Sequence, residues 1–155
     1  MKILLDTTYL LPIVGITVKE LPREAILKLI NEGHQIAISQ ISLFELAAKG
    51  AKYVKNGALK AETVTRGIRA LSYNEKIEVI PITDTKLLLI TFTLRNMLED
   101  FIDCLILATA INECNALVTE DNDIQNLKTN NQLIELLKTT NATFKINTLT
   151  KILNS

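Results

Sequence analysis

Twice in this chain an apolar run stops abruptly at an acid. Ile3-Leu4-Leu5 stops at Asp6, and Ala116-Leu117-Val118-Thr119 stops at Glu120 and Asp121. Short, nearly continuous apolar runs of this kind read as strands buried on both faces, the form strands take in parallel sheets. Gln35 to Ser39, Ile77 to Ile82 and Ala142 to Ile146 read as further strands. Helical spacing lies between them: Pro22 to Asn31, Ser42 to Lys55, Ala58 to Ser72, a helix capped by Thr83 or Asp84 and reaching Asn96, and Asp100 to Glu113. Gln132 to Lys138 and Thr148 to Leu153 read as late helices, and the stretch from Asp6 to about Gly15 as a loop or short helix. Strands alternating with helices predict an α/β fold with a mainly parallel sheet of about five strands flanked by helices. A length of 155 residues, 48% of them hydrophobic, suits one domain over residues 1–155 with a real core.

Ligands of such sheets sit beyond the carboxyl ends of the strands. Asp6 and Asp121 fall at or just past two of those ends, which makes them the first candidates for a site. Each also has a purely structural reading. Asp6 is a good helix cap after a strand. Glu45 completes Ser42-Leu43-Phe44-Glu45, the pattern of a capping box. Asp103, three residues after the probable cap Asp100, sits in a first turn where acids suit the helix dipole. Asp121 and Asp123 suit an Asx turn before a short helix. None of these positions decides a function alone. Together they place several carboxylates at strand ends and helix starts that can converge on one edge of the sheet. Crowded carboxylates raise one another's pKa, and a hard divalent cation with oxygen ligands, Mg²⁺ or Mn²⁺, relieves that penalty.

Charge and cysteine content narrow the alternatives. Seventeen basic and seventeen acidic residues give zero formal charge, so bulk electrostatics cannot hold a nucleic acid. A local basic patch or bound metal must do so. The segment Lys49 to Arg69 supplies such a patch, with Lys49, Lys52, Lys55, Lys60, Arg66 and Arg69 against one acid, Glu62. Lys49 and Lys52 follow Glu45 on one helix face by spacings of four and three, and both are candidate RNA-binding residues; a solvated face is the plain alternative. Cys104 and Cys114 are ten residues apart in one helical stretch, about 15 Å along the axis, too far for a disulfide. They read as small buried residues suited to a reducing cytosol. The lone His34 gives neither a zinc partner. No uncharged run is long enough to span a membrane and no cleavage site follows the first apolar stretch, so the chain is expected to be soluble and cytoplasmic.

The order and surroundings of these motifs resemble the PIN-domain family, most closely the VapC-type toxin nucleases. Ile3-Leu4-Leu5-Asp6-Thr7 is similar to the family's opening strand with its first Asp. Ile38-Ser39-Gln40-Ile41-Ser42-Leu43-Phe44-Glu45-Leu46 is similar to its strand, serine and Glu-bearing helix. Asp103-Cys104-Leu105-Ile106-Leu107-Ala108-Thr109-Ala110 resembles the segment in which an Asp opens an Ala-rich helix, and Ala116 to Asp123 the strand ending in Thr-x-Asp. The resemblance spans about residues 2–147. It departs at Ile124, where an aromatic is often found, and in the longer helix at Gln132 to Lys138.

The resemblance implies a metal-dependent ribonuclease with catalytic Asp6, Glu45, Asp103 and Asp121. The metal ligands would be drawn from those four and Asp123, with Ser42 and Thr119 in support, Thr119 orienting the acidic loop. It also implies a homodimer and a toxin paired with a small antitoxin protein. The apolar helix at Leu87, Leu88, Leu89, Ile90, Phe92 and Leu94 adds support for the dimer, and a central core helix is the alternative. A housekeeping RNA-processing nuclease and a non-catalytic RNA-binding scaffold are the rival functions. Phosphotransfer on a strand-end Asp fits less well. Thr8 stands where the haloacid-dehalogenase pattern needs a second Asp, and no acid adjoins Asp6 before Glu20, as a receiver-type phosphoacceptor would need.

Overall fold

The computed structural model describes residues 1–21 and 24–155. Pro22, expected in the first turn of the first helix, lies outside the described residues. Among the described residues five strands form one sheet: β1 (Lys2–Leu5), β2 (Gln35–Ser39), β3 (Ile77–Ile80), β4 (Ala116–Val118) and β5 (Lys145–Asn147). Their order is β3-β2-β1-β4-β5, and each neighbouring pair is parallel. The chain therefore winds outward from β1 in one direction through β2 and β3, and in the other through β4 and β5. The reversal falls between β1 and β4. That is a topological switch point, where a crevice opens at the carboxyl ends of the strands.

Side-chain alternation splits the core in two. Leu4, Ala37 and Leu117 point to one face, which α4 (Thr85–Leu94), α5 (Phe101–Glu113) and α7 (Asn131–Thr140) cover. Ile3, Leu5, Ile36, Ile38 and Val118 point to the other, under a 3-10 stretch (Thr7–Val14), α1 (Ala25–Asn31), α2 (Gln40–Lys55), α3 (Ala61–Ser72) and the terminal α8 (Leu149–Leu153). Helix α5 is buried without a break from Cys104 to Ile111. Each fully buried Leu or Ile there contributes about 1.5–3 kcal/mol of transfer free energy. Cys104 and Cys114 are free and buried. No helix among the described residues is long and apolar enough to cross a membrane.

Several boundaries differ from the sequence reading, each for a local reason. Strand β3 stops at Ile80, two residues short of Ile82, because Pro81 has no N–H for the ladder. Beyond it the Ile82 N–H reaches the Gln40 side chain at 3.4 Å. Strand β5 begins at Lys145, three residues after Ala142. The Asn141 amide donates to the Ile111 and Cys114 carbonyls at 3.0 and 2.9 Å, which holds the preceding turn against the end of α5. Gly67 is required where α3 crosses the 3-10 stretch, since a Cβ there would collide with the Ile13 carbonyl.

Candidate active site

The switch point is closed by hydrogen bonds centred on Asp6. Its N–H donates to the Val118 carbonyl at 3.0 Å, which carries the β1–β4 pairing one residue past the strand. Its carboxylate is buried. Oδ1 accepts the Thr7 N–H at 2.7 Å and Oδ2 accepts the Thr119 hydroxyl at 2.5 Å. Burial raises the Asp6 pKa, the Thr119 and Thr7 hydrogen bonds oppose the rise, and the charges of Glu45 and Asp121 add to it. The structural reading and the site reading thus both hold for Asp6: it caps the 3-10 stretch and stands at the crevice.

Thr119 is fixed at every polar atom. Its N–H donates to the Asn147 carbonyl at 3.0 Å, and its own carbonyl accepts the Gln125 amide at 2.7 Å. Its hydroxyl gives its proton to Asp6 and accepts the Asp121 N–H at 3.0 Å. Asp121 in turn caps α6 (Asn122–Asn126), accepting the Ile124 N–H at 2.9 Å. One threonine therefore orients two of the candidate acids.

Across the crevice, Asp100 caps α5 by accepting the Ile102 and Asp103 N–H groups at 2.8 and 3.3 Å. That frees the Asp103 carboxyl from any capping role. Among the described residues it accepts no hydrogen bond, although Asp103 is half-buried. Burial, followed by the charges of Asp100, Asp121, Asp6 and Glu45, pushes its pKa up to about 7. Asp103 and the exposed Asp123 line one open cleft of about 780 Å³, together with Glu99, Asp100, Asn126 and Asn130.

Glu45 does not form the capping box. Helix α2 starts at Gln40, so Ser42 is its third residue and Glu45 lies in its second turn. The Ser42 hydroxyl instead accepts from the Thr7 hydroxyl at 3.1 Å, and Thr7 holds Asp6. Ser42 thus supports Asp6 at one remove, through a residue the sequence did not single out. Glu45 is half-buried and pairs with Lys49 at 3.5 Å. Lys52 is exposed one turn further along α2.

The structure therefore brings Asp6, Glu45, Asp103 and Asp121 to one edge, within electrostatic reach of one another. They do not make a ready-made cage. Among the described residues no group of three or more His, Cys, Asp and Glu side chains is placed to hold a metal ion. The carboxylates are turned toward their own donors, Asp6 toward Thr7 and Thr119, Asp121 toward Ile124. The donor set is nevertheless of the right chemistry for a hard divalent cation: all oxygen, mutually repelling, with one carboxyl unpartnered.

A family model for the PIN domain matches residues 3–130. The chain is also similar to a solved structure, VapBC2 from Rickettsia felis bound to a DNA fragment from their promoter. The TM-score is 0.57 and the identity 22%, over 95% of this chain and 98% of that one. At this identity the likeness concerns the fold alone. No curated protein matches the chain significantly.

Proposed function

Because this chain belongs to the PIN domain family, whose members are generally nucleases, we propose that it hydrolyses RNA phosphodiester bonds with the help of Mg²⁺ or Mn²⁺. The observation that carries this reading is the half-buried Asp103 carboxyl, which accepts no hydrogen bond among the described residues and feels the charges of Asp100, Asp121, Asp6 and Glu45. Asp6, Asp103 and Asp121 would hold the cation, with Glu45 reaching it directly or through water and Asp123 at the margin. A bound divalent cation supplies positive charge for the scissile phosphate and lowers the pKa of water. Everything else falls to the chain. Thr119 keeps one oxygen of Asp6 and the backbone of Asp121 in place. Asp103 takes up a proton near neutral pH in the metal-free protein, and a bound cation would hold it in the carboxylate form. Lys49 and Lys52 line the approach beside Glu45 and contact phosphates, which position the strand without reading its sequence.

The finer role we infer is that of a toxin held in check by a small antitoxin protein. The fold shared with VapBC2 supports it. A homodimer fits the same reading. Leu87, Ile90 and Leu94 of α4 are buried, as a core helix requires, yet Leu89 and Phe92 are 61% and 58% exposed and offer apolar area to a second copy. Light scattering at micromolar concentration tests this, and a monomer mass would count against it.

The experiment for the activity is cleavage of defined RNAs with Mn²⁺, with chelator, and with Asp103→Asn. Cleavage should need the cation and be lost in the variant. Undiminished cleavage by Asp103→Asn would overturn the assignment.

A further inference from the structure

Glu120 lies between the two residues that carry the acidic array, yet its side chain turns away from the crevice. Its Oε1 accepts the Tyr9 hydroxyl at 2.7 Å and the Leu149 N–H at 3.1 Å. Tyr9 is buried at 5% exposure among the core residues beneath α8, and its N–H donates to the Asp6 carbonyl at 3.1 Å. These contacts close a ring. From Asp6 the path runs through the Tyr9 backbone to the Tyr9 hydroxyl, then to Glu120, along the chain to Thr119, and back to the Asp6 carboxylate. The Leu149 N–H ties the start of α8 into the same ring.

A ring of this kind fixes what its separate bonds do not. The Thr119 hydroxyl can orient Asp6 and Asp121 only while the backbone from 119 to 121 keeps its course. Gln125 and Asn147 hold that backbone at Thr119. One residue on, Glu120 holds it through Tyr9 and Leu149. Hydrogen bonds to a carboxylate are about twice as strong as neutral ones, and the Tyr9 donor comes from a well-packed aromatic rather than a mobile surface chain.

We propose that Glu120 and Tyr9 are positioning residues of the nuclease site, a latch that sets the Thr119–Asp121 loop from behind and makes the C-terminal helix α8 part of the site's support. The inference rests on the reading of Asp6 and Asp121 as metal-holding residues. Tyr9 is buried, and the exposed Glu120 spends one oxygen on Tyr9 and Leu149, so their effect passes through the geometry of the loop. Partners of this second kind typically alter metal affinity or activity by about 10–100-fold.

The test uses the full chain and three variants: Tyr9→Phe, Glu120→Ala and Glu120→Gln. The first keeps the buried ring and loses only the hydroxyl. The last keeps a side-chain oxygen that can accept from both donors. Three measurements are made on each folded protein: the Mn²⁺ dissociation constant without RNA, the exchange rate of the Asp121 and Ile124 amide hydrogens, and the kcat and KM for cleavage of a defined RNA. Tyr9→Phe and Glu120→Ala should weaken Mn²⁺ binding about 10-fold or more. Both should also speed exchange at Asp121 and Ile124 while leaving the amides of α5 unchanged, and kcat should fall with little change in KM. Glu120→Gln should restore affinity to within about threefold of the parent, as an acceptor of the same shape would. Unchanged exchange at Asp121 and Ile124 in Tyr9→Phe would overturn the latch, whatever the metal does. If exchange speeds up in the variants but the parent chain binds no Mn²⁺, the latch exists and the metal-site reading fails. If a folded Glu120→Ala binds Mn²⁺ as the parent does, the latch is structural only and the proposal falls.

Discussion

Asp6 and Asp103 are the same residue type on the same edge of one sheet, and the protein treats them in opposite ways. Asp6 is buried, with one oxygen on a backbone N–H and the other on a hydroxyl. Asp103 is half-buried and accepts nothing among the described residues, because Asp100 has taken over the cap of its helix. The first acid is held by one bond from its neighbour and one from 113 residues away, and would keep its place with or without a ligand. Burial raises the pKa of both, but only the first has hydrogen bonds that oppose the rise; the second is left for a proton or a cation to relieve. A site built from one fixed and one uncompensated carboxylate has both geometry and a driving force for binding.

The comparison can be broken in four ways. The largest effect belongs to Asp103→Asn on RNA cleavage with Mn²⁺. A lost direct ligand should cost more than the roughly 100-fold upper range seen for supporting residues, and turnover of a defined RNA measures it. A smaller loss would move the metal away from Asp103.

Next comes Thr119→Val, which keeps the shape and removes the hydroxyl. It strands one buried oxygen of Asp6 and the Asp121 N–H, a cost of about 2–4 kcal/mol. Thermal unfolding should show a fall of roughly 5–15 °C for a domain of this size. Wild-type stability in Thr119→Val would mean that Asp6 is not fixed by this bond.

The third effect is on stability against pH, without metal. The folded pKa of Asp103, about 7, lies well above the ordinary carboxylate value of 3.8. A raised carboxyl pKa means that the folded state holds the proton more tightly than the unfolded state. Its penalty is absent below about pH 4, grows as pH rises through 7, and is complete above that. Asp103→Asn removes the penalty. It should therefore be more stable than the parent at pH 8, on the order of 1–2 kcal/mol after allowing for solvent screening at a half-exposed group. The gain should vanish near pH 4. Urea unfolding at the two pH values reads it, and the opposite order would contradict the charge-storage account.

The smallest effect concerns Lys49 and Lys52. Changed together to Ala, they should reduce the slope of log affinity against log salt by up to about 1.4, if each contacts one phosphate of single-stranded RNA. An unchanged slope would leave both as solvated surface, with Lys49 serving only its pair with Glu45.

The sequence was most legible where one element carries its own signal. The apolar runs ending in acids marked β1 and β4, and the cap at Asp100 was visible three residues before Asp103. It misled at Ser42, where a local pattern looked complete. Ser-x-x-Glu suggests a box, but the helix begins earlier, after Ser39, whose hydroxyl is shared with Thr109 seventy residues away. Ser42 is likewise drawn to Thr7 by a contact 35 residues distant. Thr7, Tyr9 and Glu120 escaped notice for the same reason, since their partners are set by the order of the strands and no spacing along the chain announces them. The acids and the supporting Thr119 could be named from the sequence, whereas the supporting parts of Thr7, Tyr9 and Glu120 could not.

The place of β1 at the middle of the sheet has a consequence in time. The bond that completes the switch point joins residues 113 positions apart. At a synthesis rate of about 5–20 residues per second, roughly 6–23 s pass between the making of Asp6 and of Thr119. Parallel pairing across such a span is also slow to form. Over the last 16 residues of that interval, from Asp103 to Thr119, the growing polypeptide holds three of the four acids, Asp6, Glu45 and Asp103, without the threonine that aligns the first of them. The candidate site is in this way kept unassembled until the fourth strand has been made.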